Sequence, residues 1–242
     1  HDAAAAVKKI EQLGARVVMV TGDLKGTAMA VARELGWHVE PGHVLSGEEV
    51  RGLSDSELRA VLPRMQIFAR VTPEDKLRIG TLYRESGEVV AMTGDGVNDA
   101  PSLKAVDIGV ALGSGSDVAK SVADLVILDD NFKTIVAAIE EGRRILENIR
   151  KVFVYLVSTC LGEVFLIGGS LAFGLPLPLT ALQIIWINFF SDSLPALSFA
   201  FDAHSPDKSK QTKNHSIFNI EVTILTLVIG FLTSFLLFVL YY

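Results

Sequence analysis

Beyond Lys151 this chain of 242 residues carries three long apolar stretches, roughly 152–173, 179–201 and 220–242. Each is close to the ~20 residues that an α-helix needs to cross a bilayer. Before Lys151, charged and apolar residues mix as they do in a soluble domain. The sequence therefore divides into a soluble part (1–133), a helical stalk (134–151) and a transmembrane part (152–242) with three spans. Positive charge sets the expected orientation. Arg143, Arg144, Arg150 and Lys151 precede the first span, and Lys208, Lys210 and Lys213 follow the second. The turn between those spans, Gly174-Leu-Pro-Leu-Pro178, carries no charge. A multi-pass protein in a lipid bilayer follows, with its soluble domain and the 202–219 loop in the cytosol. The net charge of −6, with no dense basic patch, argues against a nucleic-acid partner. The single Cys160 excludes an intrachain disulfide. No signal peptide opens the chain, and His1 stands where Met would, which reads as a piece of something longer.

The soluble part alternates helices and strands. Val7, Ile10 and Leu13 mark a helix over 3–13, and 15–20 reads as a strand apolar enough to be buried on both faces. A helix follows at 26–35, closed by Gly36. Residues 37–64 are mixed, with helix starts at Ser46-Gly-Glu-Glu and Ser54-Asp-Ser-Glu. Next come a strand at 66–69 and a helix capped by Thr72 with Pro73 at its first position. Strands are expected at 89–92, 108–111 and 125–128, with a helix from Asp117 and a long helix from Asn131 into the first span. This alternation predicts an α/β fold, a Rossmann-like parallel sheet covered on both faces, followed by an α-helical transmembrane region.

The chemistry concentrates where strands end. The stretch from Val89 to Pro101 reads Val-Val-Ala-Met-Thr-Gly-Asp-Gly-Val-Asn-Asp-Ala-Pro. Gly94 and Gly96 are expected to let the backbone turn sharply at the strand end, where a side chain would clash. Asp95 and Asp99 then project from a strand's carboxyl end, a donor pair suited to Mg²⁺ shared with a phosphate. Alone, a Gly-Asp-Gly is a capped turn; this stretch is longer than a turn needs. Thr21 and the Gly22 N–H can hydrogen-bond phosphoryl oxygens, and Lys76 can neutralise them. In the membrane part, Glu163 lies near the middle of the first span, with Cys160 one turn earlier. Asn188, Ser191 and Asp192 share one face of the second, and Pro195 leaves the Ser191 carbonyl without its usual donor. Two acids, an amide, a hydroxyl and a freed carbonyl make an oxygen cage for a hard cation.

These motifs resemble one family. Met19-Val-Thr-Gly-Asp23, Phe68-Ala-Arg-Val-Thr-Pro-Glu-Asp-Lys76 and Met92-Thr-Gly-Asp-Gly-Val-Asn-Asp-Ala-Pro-Ser-Leu-Lys104 are similar to the phosphorylation domain of P-type cation-transporting ATPases, a haloacid dehalogenase-like fold. Tyr155-Leu-Val-Ser-Thr-Cys-Leu-Gly-Glu163 and Trp186-Ile-Asn-Phe-Phe-Ser-Asp192 look like the fifth and sixth membrane helices of the calcium and sodium/potassium pump branch. The resemblance implies ATP as substrate and Mg²⁺ as cofactor. Asp95 would be the Mg²⁺ ligand with Asp99 its supporter. Thr21, Gly22 and Lys76 would contact an aspartyl phosphate, Asn98 would help bind it, and Asp23 and Arg70 would lie on the nucleotide side. Glu163, Asn188, Ser191 and Asp192 would bind the transported cation, Ca²⁺ or a Na⁺/K⁺-like ion. Cys160 stands where the calcium pumps have Asn, and Ser191 where they have Thr.

The family's nucleophile, the Asp of an Asp-Lys-Thr-Gly-Thr motif, has no counterpart here. The resemblance places it in an amino-side part of the same pump, so this chain alone is expected not to turn over. Two other readings compete. A membrane-anchored haloacid dehalogenase-type phosphatase would need its own nucleophilic Asp in an Asp-x-Asp-x context, which we do not find. A non-catalytic pump fragment or partner would bind without turnover.

Overall fold

The computed structural model of the chain describes residues 2–202 and 220–242. Lys208, Lys210 and Lys213 lie outside the described residues. The chain forms two compact units that divide between Ile139 and Glu140.

The first unit is α/β. It begins with α1 (Asp2–Gln12), β1 (Met19–Val20), α2 (Lys25–Glu34) and β2 (Val44–Ser46). Next come α3 (Gly47–Gly52), α4 (Asp55–Val61), β3 (Ile67–Ala69), α5 (Pro73–Glu85) and β4 (Ala91–Gly94). It continues through α6 (Ala100–Ala105), β5 (Ile108–Leu112), α7 (Asp117–Val122) and β6 (Leu125–Ile127). Local chemistry starts the helices. Ser46, Ser54 and Thr72 each accept from the N–H three residues on, and Glu49, Glu57 and Asp75 return the bond to the cap's own N–H. Such a reciprocal cap is worth about 1 kcal/mol. β3 is the hub. Its side chains alternate, so Phe68 packs with Leu58, Leu62, Ile79 and Leu82, while Ile67 and Ala69 pack with Ala28, Ala32 and Val44.

All the strands among the described residues pair in parallel, but in two sheets of three, ordered β1-β3-β2 and β4-β5-β6. The single sheet expected from the alternation is therefore split. β1 and β4 are both outer strands with one partner each. The expected buried strands are correspondingly less buried. Only Met19–Val20 of the 15–20 run is strand, and it is half-buried. The 89–92 run starts as strand at Ala91, with Val89 74% exposed and Ala91 and Thr93 open. Burial on both faces needs neighbours that these edge strands lack among the described residues. β2 emerged from the stretch that looked mixed.

The second unit is helical. α8 (Phe132–Ala172) runs unbroken for 41 residues, and the division between the units falls inside it. It extends over both the stalk and the first apolar stretch. Gly174, at φ 67°, ends the turn that follows it. Two helices among the described residues, Phe132–Ala172 and Val222–Tyr241, are long and apolar enough to cross a bilayer. The latter lies in α11, the last helix; α9 (Ala181–Trp186) and α10 (Ser193–Ala200) precede it. The stretch expected as the second span is assembled from α9, a π-helical turn at Ile187–Asp192 and α10. Small residues let α8 and α11 approach closely. A Cβ on Gly230 would sit 3.2 Å from the Leu161 Cβ and 3.3 Å from the Ser158 carbonyl. The Ser158 hydroxyl donates to the Thr226 carbonyl at 3.2 Å.

Candidate functional site

In the first unit, short bonds between neighbouring loops place the strand-end residues. Thr21, Gly22 and Asp23 follow β1, and the Thr21 hydroxyl donates to the Asp23 carboxylate at 2.9 Å. This loop is tied to the end of β3, because the Arg70 N–H donates to the Asp23 carbonyl at 2.8 Å and the Val71 N–H to the Thr21 carbonyl at 3.2 Å. Arg70 is held at φ 51°, a left-handed conformation that a non-glycine residue adopts only under local constraint. Two residues later Thr72 caps α5, and the first turn of that helix carries Lys76. The Lys76 ammonium reaches across to the loop after β4 and donates to Asp99 Oδ1 at 2.6 Å.

Asp99 is buried at the start of α6, and its Oδ2 accepts from the Gly96 N–H at 3.2 Å. Burial pushes its carboxyl pKa up, but the hydrogen bond from Lys76, the Gly96 and Asp95 N–H groups and the Lys76 charge outweigh that, leaving it below its ordinary value. Asp99 is thus an anion at neutral pH, neutralised by Lys76. Gly94 and Gly96 turn the chain without positive φ. Gly94 stands, as expected, where a side chain would clash: a Cβ there would sit 2.6 Å from the Asp99 Cβ. Asp95 and Asn98 are exposed. The Asp95 carbonyl accepts from the Ser116 N–H at 2.7 Å, so the turn after β5 buttresses the Asp95 loop. A Cβ on Gly115 would come within 3.1 Å of the Asp95 Cα.

The donor chemistry suits Mg²⁺ in part. Asp95 offers an exposed hard oxygen at a strand end, while Asp99 is committed to Lys76. No group of three or more His, Cys, Asp or Glu gathers among the described residues, so other ligands would come from water, phosphate or another segment.

In the second unit, Glu163 on α8 meets Asn188 in the π-turn. The Asn188 Nδ2 donates to Glu163 Oε2 at 3.3 Å and to the Ile184 carbonyl at 3.0 Å. Asp192 is 5% exposed, and its Oδ2 and Glu163 Oε1 are buried with no hydrogen-bond partner among the described residues. Two expectations change here. Ser191 is exposed rather than on one face with Asp192, because the π-turn alters the spacing expected of an α-helix. The Ser191 carbonyl is not free either, since the Tyr155 hydroxyl donates to it at 3.2 Å. Tyr155 was quoted in the motif without a role; it sits two helical turns before Glu163. Cys160 is exposed.

Residues 1–107 and 78–139 match two models of haloacid dehalogenase-like hydrolases, and residues 176–242 match the model described as cation transporting ATPase, C-terminus. Calcium-transporting ATPase 1 of Bacillus cereus is 44% identical over 234 residues, covering 94% of this chain and 26% of its own length. The calcium-transporting ATPase of Bacillus subtilis is 45% identical over 211 residues, covering 87% of this chain and 24% of its own. A zinc-transporting PIB-type ATPase solved in the E2.Pi state superposes with a TM-score of 0.58 at 29% identity, over 82% of this chain and 26% of that one. The chain spans about a quarter of the length of these relatives. With a haloacid dehalogenase-like α/β unit and a cation-pump carboxyl-terminal region in one polypeptide, it belongs to the P-type cation-transporting ATPases.

Proposed function

We propose that this chain supplies the phosphoryl-handling loops and part of the cation site of an ATP-driven pump, with Ca²⁺ the transported ion. The observation that carries the reading is the pair of buried carboxylate oxygens on Glu163 and Asp192, unpartnered among the described residues, with the Asn188 amide on Glu163. Acidic oxygens left without donors in an apolar helical unit are costly unless a cation visits them. The calcium-transporting relatives support the choice of ion.

In the first unit, Asp95 would hold Mg²⁺, which supplies charge neutralisation on a transferring phosphoryl group when bound. Lys76, Thr21 and Gly22 would bind the phosphoryl oxygens, with Asn98 beside them, and Asp99 would hold Lys76 in place. Asp23 and Arg70 would face ATP. A nucleophilic Asp would arrive on a parallel strand from an amino-side part of the pump, pairing with the open edges of β1 and β4; the exposed Val89, Ala91 and Thr93 support this. The chain would then be multi-pass with three spans, and its α/β unit would lie in the cytosol.

The test uses the complete pump. Glu163→Gln and Asp192→Asn are expected to abolish Ca²⁺-dependent phosphorylation from ATP while leaving phosphorylation by inorganic phosphate in place. Unchanged Ca²⁺ dependence in both variants would remove the cation site from the proposal.

A further inference from the structure

We propose that Ser193 is a positioning residue for the cation site, a role that rests on the transport reading above. Its hydroxyl donates to the Asn188 carbonyl at 3.0 Å, five residues back. Other hydroxyls in this unit bond carbonyls three or four residues back: Thr159 to Leu156, Ser170 to Leu166, Ser198 to Pro195, Thr226 to Val222 and Ser234 to Gly230. Three- and four-residue contacts are available in any α-helix. A five-residue contact exists because Ile187–Asp192 is π-helical, a wider turn that brings residue i+5 over the carbonyl of residue i. The Ser193 hydroxyl therefore stabilises the π-turn against collapse to α.

The π-turn carries the cation ligands at both of its ends. Asn188 turns its amide toward Glu163, and Asp192 is buried at the far end. Collapse to α would remove the extra residue from the turn. The helix on one side would have to rotate against the other, taking Asp192 out of line with Asn188 or Asn188 away from Glu163. Pro195 and Tyr155 act in the same sense just beyond. Pro195 has no N–H to offer the Ser191 carbonyl, and the Tyr155 hydroxyl occupies it instead. The device is thus a serine lock on a turn whose width sets the spacing of an acid and an amide.

The experiment measures, in the complete pump, the Ca²⁺ concentration for half-maximal phosphorylation from ATP, and phosphorylation by inorganic phosphate without Ca²⁺. Ser193→Ala is expected to raise the half-maximal Ca²⁺ roughly 3- to 10-fold, the equivalent of one neutral hydrogen bond. The maximal level and the reaction with inorganic phosphate are expected to stay unchanged, and Ser193→Thr to restore the parent value. If Ser193→Ala does not accumulate, Ser193→Cys, which keeps the size but donates weakly, is expected to give a smaller shift in the same direction. Parental half-maximal Ca²⁺ in Ser193→Ala, or a lowered maximum with no shift, overturns the role of Ser193. Asp192→Asn separates the two readings: if it abolishes Ca²⁺ dependence while Ser193→Ala does nothing, the lock alone is wrong. If Asp192→Asn also leaves Ca²⁺ dependence intact, the cation site and the lock fall together.

Discussion

Lys76→Met and Asp99→Asn remove opposite halves of one ion pair, and the two losses are expected to be unequal. The ammonium lies 2.6 Å from Asp99 Oδ1, with the Lys side chain 22% exposed and the Asp side chain 13% exposed. Taking away Lys76 leaves a mostly buried carboxylate with backbone N–H donors alone, at a cost of about 2–3 kcal/mol. Taking the charge from Asp99 leaves a flexible ammonium that can swing to water, costing about 1 kcal/mol. The double variant is expected to cost less than the sum, by about 1–2 kcal/mol of coupling. The assay is urea unfolding of the full chain in detergent micelles. In a Trp186→Phe background Trp37, packed against the Ala28 and Val44 cluster, is the only tryptophan reporter. Lys76→Met is expected to lower the urea midpoint by roughly 1 M or more. The pH dependence has a definite sign. Because folding lowers the Asp99 pKa from its ordinary 3.8, the pair's contribution is fully present above that value and is lost as pH falls through the lower folded one. Parent and variants should therefore converge in strong acid. Equal costs for the two single variants, an additive double variant, or a gap that persists in acid would each refute the buried-pair argument.

Gly94→Ala is expected to destabilise the first unit by about 1–3 kcal/mol, because its Cβ would lie 2.6 Å from the Asp99 Cβ and force that turn to move. The same urea titration measures it, and a neutral result would show the turn to be slack. Asn148→Leu removes the side-chain donor to the carbonyls of Ala200 and Asp202, at 3.4 and 3.2 Å, where α10 ends. About 1–2 kcal/mol is expected to be lost, read as a lower midpoint of thermal unfolding in detergent. Lys151→Ala breaks the neighbouring ion pair with Asp202, but both partners are exposed. Its cost is therefore expected to stay below about 1 kcal/mol and to vanish at high salt.

Helix starts were readable because a cap acts within one turn of chain: Ser46, Ser54, Thr72 and Ser116 each bond an N–H three residues away. The candidate cation residues stood out for a related reason. Glu163 and Asp192 are acids inside apolar stretches, chemically expensive where they stand, and that cost marks a candidate site without any knowledge of its partners. Partnership is what the linear order could not supply. Lys76 and Asp99 are far apart in the chain, and the ion pair exists because α5 and the loop after β4 are packed together. β2 is three residues long and exists because β3 offers it a parallel ladder. The split of the strands into two sheets, with Val89 exposed beside an open edge, depends on which neighbours are present rather than on how apolar the strand is. In the helical unit, spacing alone put Ser191 beside Asp192. Only the folded chain showed the π-turn, with the Ser193 hydroxyl on the Asn188 carbonyl and Tyr155 reaching over from α8. Periodicity assumes a constant number of residues per turn, and contacts between helices are what decide where that number changes.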